Sequence, residues 1–342
     1  MSAAAGGGAV ATRIANGAAL GALLASGIAW LAPWAWIGEL LVHFRLQYLA
    51  IALGAALVLA LRRAWRGLAV AIVAALLDLA PAWDYFAPPR AAPVPELASA
   101  GATSFAADAH APVTLRIGSA NVFFMNHAHA KVLAWVRRAR PEVVVFIEVT
   151  PEWRAALAPL AAEYPYEVFA SDRSHHAVLL RSRWPLEAPG PLAGDGVQRA
   201  ALLVDVVKQG APLRIAAMHA AWPVTPAQAS LRATDFAVLA QAARQRGARP
   251  FVAVGDLNCS PFSPQFARLL ADGGLRRAAQ GRGWLPTWPT FLPPVGIQID
   301  HALLSPEVQL RGFALGSGTG SDHRPIVADI AFAAPLGQVR AR

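Results

Sequence analysis

The sequence predicts an α/β domain preceded by an all-α transmembrane region, and two observations carry that prediction. Apolar residues make up 56% of the 342-residue chain and charged ones only 15%, and the apolar excess is concentrated between residues 17 and 81, where few charges occur. From residue 113 onward, short β-favouring runs alternate with segments of helical period, as in a mixed fold. The chain divides accordingly into a membrane region at 1–86 with about three transmembrane helices, a Pro/Ala-rich linker at 87–112, a candidate catalytic domain at 113–332 and a tail at 333–342.

The run Gly17 to Leu41 is interrupted only by Pro33 and Glu39, and at 1.5 Å per residue it is long enough to cross a hydrocarbon core of about 30 Å. Tyr48 to Leu61 and Gly67 to Ala80 are shorter and become credible as a hairpin. Between them lie Arg62, Arg63 and Arg66, which the positive-inside rule places in the cytoplasm. With Arg13 also inside, the amino terminus is cytoplasmic and the carboxy terminus lies outside. In a bacterial inner membrane that means a periplasmic or extracellular domain. Trp30, Trp34, Trp36, Trp83 and Tyr85 then fall near the outer interface, where amphipathic rings are favoured. A cleaved signal peptide accounts for the first run alone. Residues 87–112 show no periodicity and read as an extended spacer lifting the next domain off the membrane.

In the candidate domain, Val113 to Asn121 alternates like a strand, Ala130 to Arg140 reads as a helix closed by Pro141, and Val143 to Ile147 is a buried strand that stops at Glu148. Thr150-Pro-Glu-Trp153 opens a helix through an N-cap with proline at the first position. Strand-like segments follow at Tyr166 to Ala170, Ala177 to Arg181, Arg199 to Lys208 and Leu213 to His219. A long helix over Pro226 to Arg246 leads to Phe251-Val-Ala-Val-Gly-Asp-Leu-Asn258, where an apolar strand runs out at Asp256 and Asn258. Their i, i+2 spacing points both side chains the same way. A short helix near Pro264 to Ala271, a strand over Ile297 to Leu304 and a last strand over Ile326 to Ala331 complete the domain. The loop before that last strand presents Asp322 and His323.

Five segments thus end in chemically able side chains: Asn121, Glu148, His219, Asp256 with Asn258, and Asp322 with His323. A carboxylate at an apolar strand's tip is costly to bury unless it is paired or ligates a cation, which marks Glu148. Asp300, inside a strand among apolar neighbours, needs a partner for the same reason. Oxygen donors with few histidines suit Mg²⁺ or Mn²⁺ better than zinc. The single cysteine, Cys259, excludes an internal disulfide and any Cys-based zinc site. The net charge of +9 suits anionic partners, though an arginine-rich surface produces it equally well.

The order Asn121, Glu148, His219, Gly255-Asp-Leu-Asn258, Ile299-Asp-His301 and Ser321-Asp-His-Arg-Pro325 resembles the endonuclease/exonuclease/phosphatase superfamily over residues 113 to 332. The resemblance implies a four-layer α/β sandwich with two mostly antiparallel sheets and metal-dependent phosphoester hydrolysis. It implies Glu148 as the main metal ligand with Asn121 beside it and Asp322 near the metal. It further implies Asp256 as the group that aligns or activates water, Asn258 as a phosphate donor, His323 paired to Asp300, and His219 as a second phosphate-facing histidine. Where the family usually has glutamine before its glutamate, Ile147 stands here, and the tyrosine of abasic-site nucleases is not evident. Arg199 and Arg324 are candidates to meet an anionic substrate or are surface and scaffold residues. His301, on the opposite strand face from Asp300, reads as structural. The expected partners are a phosphoester, whether nucleic acid, phospholipid or small molecule, and the membrane; no protein partner is inferred. A non-catalytic membrane-anchored binding module retaining the fold is the alternative, and a decayed enzyme of that kind would have lost some of these polar positions.

Overall fold

The computed structural model of the chain describes residues 2–88, 112–171, 177–192 and 200–333. Three stretches near the start are helical, long and apolar enough to cross a membrane: Gly7–Ala29, Trp36–Leu61 and Trp65–Phe86. The first lies in α1 (Ser2–Ala29). The second joins α2 (Trp36–Leu41), a 3₁₀ turn at Val42–Phe44 and α3 (Arg45–Leu61); the third is α4 (Trp65–Phe86). The expected first span, Gly17 to Leu41, is therefore broken. Pro33 has no N–H to continue a helix and biases its predecessor away from helical backbone, so α1 ends at Ala29 and the chain turns before Trp36.

A buried polar cluster pins the three helices together. Arg45 Nη1 donates to Asp78 Oδ1 at 2.7 Å, and Ser26 Oγ donates to Asp78 Oδ2 at 2.5 Å. The Arg45 guanidinium lies 4.8 Å from the centre of the Trp30 ring. Each charge removed from water is thus met by an opposite charge, a hydroxyl or a ring face, which is the condition for burying it.

The domain contains twelve strands among the described residues: β1 (Val113–Asn121), β2 (Val143–Ile147), β3 (Tyr166–Ala170), β4 (Val178–Ser182), β5 (Leu186–Pro191), β6 (Ala201–Lys208), β7 (Ala211–His219), β8 (Phe251–Asp256), β9 (Arg276–Arg277), β10 (Asp300–Leu304), β11 (Val308–Leu315) and β12 (Ile326–Phe332). They form two six-stranded sheets, β11-β12-β1-β2-β4-β3 and β5-β6-β7-β8-β10-β9. Each is antiparallel except for one central parallel pair, β1 with β2 and β7 with β8.

Period-2 alternation assigns the faces. Val113, Leu115 and Ile117 of β1 and Val143, Val145 and Ile147 of β2 pack in one core with Leu213, Ile215 and Ala217 of β7 and Val252 and Val254 of β8. The alternate residues Val144 and Phe146 face α5 (His129–Ala139) and α6 (Pro151–Ala156). Phe251 and Ala253 face α7 (Pro226–Arg244) and α8 (Pro264–Gly273). This is the expected four-layer sandwich. Each aliphatic residue sealed between the sheets contributes about 1.5–3 kcal/mol by leaving water, which holds the ends of the two parallel pairs in fixed relation.

Three strands have no counterpart in the sequence reading, β5, β9 and β11, and all three are edge strands. β9 is only two residues long, and β5 and β11 carry proline or glycine and a register irregularity, features an edge tolerates and a central strand does not. The expected spacer, 87–112, lies largely outside the described residues. Its expected effect, a domain held off the helices, is not what the chain does. Glu39 accepts from both Arg232 Nη2 and Ser263 Oγ. Trp36 Nε1 donates to Pro223 O at 2.8 Å, Gln47 Nε2 donates to Gly296 O at 2.9 Å, and Tyr85 stacks on Phe262 with ring centres 5.2 Å apart. The domain is seated on the helix ends because Glu39 and Arg232, both buried, neutralise each other there.

Candidate active site

Both parallel pairs run out at the same place. Asn121 belongs to the inward-facing set of β1, His219 to that of β7 and Asp256 to that of β8, so all three point into the gap between the sheets. In the β7–β8 register His219 lies beside Asp256, and in the β8–β10 register Asp300 lies opposite Asp256. Gly255 is what permits this approach: its φ is +145°, and a Cβ there would fall 2.1 Å from Met218 O on the neighbouring strand. No other residue type fits that backbone.

By parity Glu148 would join Val144 and Phe146 on the helix-covered face. Its φ of +62° turns the chain at the strand end instead, and Glu148 Oε1 accepts from Asn121 Nδ2 at 2.9 Å. The same Nδ2 donates to Asp256 Oδ2 at 3.0 Å, so one carboxamide joins a carboxylate from each sheet. Phe124 N–H donates to Glu148 Oε2 at 3.1 Å, support of the sort Ile147 cannot give.

His219 Nε2 lies 3.7 Å from Asp256 Oδ2 and 3.9 Å from Glu148 Oε1. His323 Nδ1 lies 2.9 Å from Asp300 Oδ2, and its Nε2 is 3.7 Å from Asp256 Oδ2 and 4.0 Å from Asp322 Oδ1. Of the nine residues singled out by the sequence, Asn121, Glu148, His219, Asp256, Asp300, Asp322 and His323 converge on one site. Arg199 lies outside the described residues.

Asn258 is adjacent but is oriented differently from the sequence expectation. The strand ends at Asp256, Asn258 takes φ +48°, and its N–H donates to Asp256 Oδ1 at 2.9 Å. The i, i+2 alignment is lost in this turn, and Asn258 Nδ2 donates to Ala220 O at 3.0 Å. That nitrogen carries two hydrogens, and Ala220 takes one. Glu148 and Asn258, with Phe123 at φ +60°, are non-glycine residues held left-handed at the site, a conformation that persists only where surroundings impose it.

Sequence reasoning missed four supporting residues. Trp288 Nε1 donates to Asp322 Oδ2 at 3.0 Å, and Ser321 Oγ donates to Asn121 O at 2.8 Å. Thr287 Oγ1 accepts from the N–H groups of Ile299 and Asp300. Arg232 Nη1 donates to Asn258 O at 2.6 Å. Thr287, Trp288 and Arg232 carry no motif; Ser321 opens the stretch Ser321-Asp-His-Arg-Pro325, whose signal is its aspartate and histidine and not its hydroxyl. His301 is structural as expected: buried, with Nε2 2.8 Å from Cys259 O and its ring 4.6 Å from that of Phe266.

Burial, and after it repulsion from Asp300, push Asp256 up to about 7. Burial also raises Glu148. For His323 burial works downward, but the carboxylates of Asp300, Asp256 and Asp322 outweigh it and lift the imidazole to about 10. Crowded carboxylates with too few cations to balance them fit a hard divalent ion. Glu148, His219 and Asp256 each offer an atom within 4.8 Å of one another, as do Asp256, Asp300 and His323. Asn121 Oδ1, the atom a cation would take, accepts from Phe123 N–H at 2.9 Å. In this arrangement the carboxamide bridges the two carboxylates nitrogen-first.

A model of the Endonuclease/Exonuclease/phosphatase family matches residues 118–323. Among solved structures, a humanized D. rerio TDP2 aligns with a TM-score of 0.54 at 18% identity, over 64% of this chain and 98% of its own. An endonuclease/exonuclease/phosphatase from Beutenbergia cavernae aligns with a TM-score of 0.53 at 20% identity, over 65% and 73%. The sphingomyelinase C of Streptomyces griseocarneus gives 0.50 at 18%, over 64% and 99%. These likenesses establish the sandwich. A search of curated proteins finds no match to the sequence.

Proposed function

The chain belongs to the endonuclease/exonuclease/phosphatase family, and from that premise we propose that it is a membrane-tethered, Mg²⁺- or Mn²⁺-dependent phosphoesterase acting by in-line attack of water. The observation that carries this reading is the position of Asp256. One buried carboxylate lies within 4 Å of Asn121, His219 and His323 at the meeting point of both sheets. A phosphodiesterase, nuclease or phosphatase can be built on that arrangement.

Glu148 and Asp322 would hold the cation, with Asn121 joining them if its carboxamide were turned oxygen-first, and a bound cation would supply positive charge against the phosphoryl oxygens. Asp256 aligns the attacking water and accepts its proton; a carboxylate raised toward neutrality is suited to that task. His323, steadied by Asp300, and His219 face the phosphoryl group and stabilise charge on its oxygens as the bond order changes. Asn258 offers its second N–H to a phosphate oxygen.

The tether rests on the three apolar helices and on Arg62 and Arg63 between the second and third with Arg66 in the first turn of the third, which by the positive-inside rule leave the domain on the periplasmic or outer face. A binding module that has lost catalysis would have no need to keep both histidines and every carboxylate in one site. The test is hydrolysis of bis-p-nitrophenyl phosphate by the full chain in detergent. Turnover that EDTA abolishes and Mg²⁺ or Mn²⁺ restores supports the reading, and EDTA-insensitive turnover opposes it.

A further inference from the structure

Three loops leave the catalytic strands and end on the N-terminal helices. After His219, Pro223 O accepts from Trp36 Nε1 at 2.8 Å. After Asn258, Ser260 Oγ lies 2.9 Å from His43 Nδ1, and Phe262 stacks on Tyr85. The third runs from Trp288, which donates to Asp322, through Thr290, whose N–H and hydroxyl donate to Asp322 O and Ser321 O at 2.9 Å, to Gly296, which accepts from Gln47. That loop is fixed to the active site at one end and to a spanning helix at the other.

The depth of those contacts follows from helix length. α3 has 17 residues, about 25 Å at 1.5 Å per residue, against a hydrocarbon core of about 30 Å, so crossing takes up essentially all of α3 and its first residues, Arg45 and Gln47, fall near the outer boundary. Trp34 and Trp83, 82% and 73% exposed, lie at the same end of the bundle and form the aromatic belt of that interface. The loops carry matching side chains. Trp222 is exposed, and Phe291, Leu292 and Val295 protrude from the loop between Thr290 and Gly296, Phe291 at 76% exposure. An apolar loop open to water is unfavourable, and one beside the outer end of a membrane helix has an apolar medium within reach.

We propose that Trp222 and the loop Phe291–Val295 rest in the headgroup layer of the bilayer that the N-terminal helices cross, so that the active site opens onto that surface and takes its phosphoester from a lipid. This rests on the phosphoesterase reading above. The lipid's phosphorus gains a bond to water's oxygen and loses one ester oxygen. The departing group leaves as an alcohol with a proton, and the other product keeps the phosphate.

The test uses the full chain reconstituted in vesicles of phosphatidylcholine, phosphatidylglycerol and phosphatidylethanolamine. Phe291→Cys carries an environment-sensitive dye, with Thr114→Cys, exposed at the end of β1 away from Asn121, as the reference position; native Cys259 is buried. Dye at 291 is quenched by lipid-borne nitroxide and shielded from aqueous iodide, while dye at 114 behaves oppositely. Equal iodide quenching at both positions overturns the surface.

Phosphorus NMR follows lipid hydrolysis in the same vesicles beside turnover of soluble bis-p-nitrophenyl phosphate. The double variant Phe291→Ser, Leu292→Ser lowers the ratio of lipid to soluble rates about tenfold, the effect expected from losing one buried aromatic anchor. An unchanged ratio, or preferential cleavage of DNA or RNA added outside the vesicles, overturns the lipid assignment while the phosphoesterase reading stands. Absence of EDTA-sensitive turnover on every phosphoester removes that reading and the lipid assignment with it, and the quenching result still decides whether the loop meets the bilayer.

Discussion

His323 Nδ1 donates to Asp300 Oδ2 across 2.9 Å, and this contact decides which edge of the ring faces Asp256. Nδ1 is committed to the carboxylate, so Nε2 is the nitrogen presented to the site. Asp300→Asn removes the charge while keeping the shape. The expected result is a loss of about 10²–10⁴ in kcat, the range for misplacing a catalytic imidazole, with the far-ultraviolet circular dichroism unchanged. Steady-state kinetics on a soluble diester reads it.

Glu148 is held left-handed at the end of β2 and secured by Asn121 and Phe124. If it is the main cation ligand, Glu148→Gln weakens Mn²⁺ binding about 100-fold or more, since disturbing ligand support alone costs 10–100-fold. Titration followed by electron paramagnetic resonance measures this without any turnover. Asn121→Ala, which removes the shared donor between Glu148 and Asp256, gives a smaller loss in the same assay.

Glu39 and Arg232 couple the helices to the catalytic loop. Arg232 is fully buried, paired with Glu39 and bonded through Nη1 to Asn258 O. Glu39→Ala leaves a buried cation without its counter-charge and is expected to cost about 3–5 kcal/mol, seen as a lowered midpoint of unfolding in detergent. Adding Arg232→Met recovers much of the stability but lowers kcat, because Asn258 O then loses its donor.

His301 gives a pH dependence separable from the site. Burial first, and Arg277 to a lesser degree, lower it to about 4, against the opposing pull of Asp300 and its bond to Cys259 O. The unfolded chain takes up this proton below about 6.5 and the folded chain resists until about 4. Stability is therefore full above pH 6.5 and is lost as pH falls toward 4, by up to about 3 kcal/mol. The unfolding midpoint of His301→Gln, compared with the parent at pH 7 and pH 4.5, isolates the effect: the parent loses more on acidification. Equal losses in both count against it.

Much of this architecture was legible in the residues because alternation and strand ends are local features. Asn121, His219 and Asp256 fall on inward positions of their strands, so period-2 parity alone aims them at one gap. Glu148 was legible as a costly charge at an apolar tip, but not as a residue whose positive φ reverses its face. The departure of Asn258 has the same origin: an Asx turn at Asp256 overrides strand parity as soon as the ladder stops. Edge strands β5 and β11 escaped notice because proline, glycine and half-exposure dilute the pattern. The seating of the helices on the domain was not legible at all. Glu39 and Arg232 are 193 positions apart, and nothing in either neighbourhood names the other.

The most direct measurement of the central claim, that side chains from both sheets act as one phosphoester-hydrolysing site, is the rate of Asp256→Asn in the full chain at saturating Mg²⁺. The variant keeps the size and most hydrogen bonds of the residue that joins Asn121, His219 and His323. A fall in kcat of about 10³-fold or more, with Mn²⁺ still bound, is the predicted result; a rate equal to that of the parent chain would contradict it.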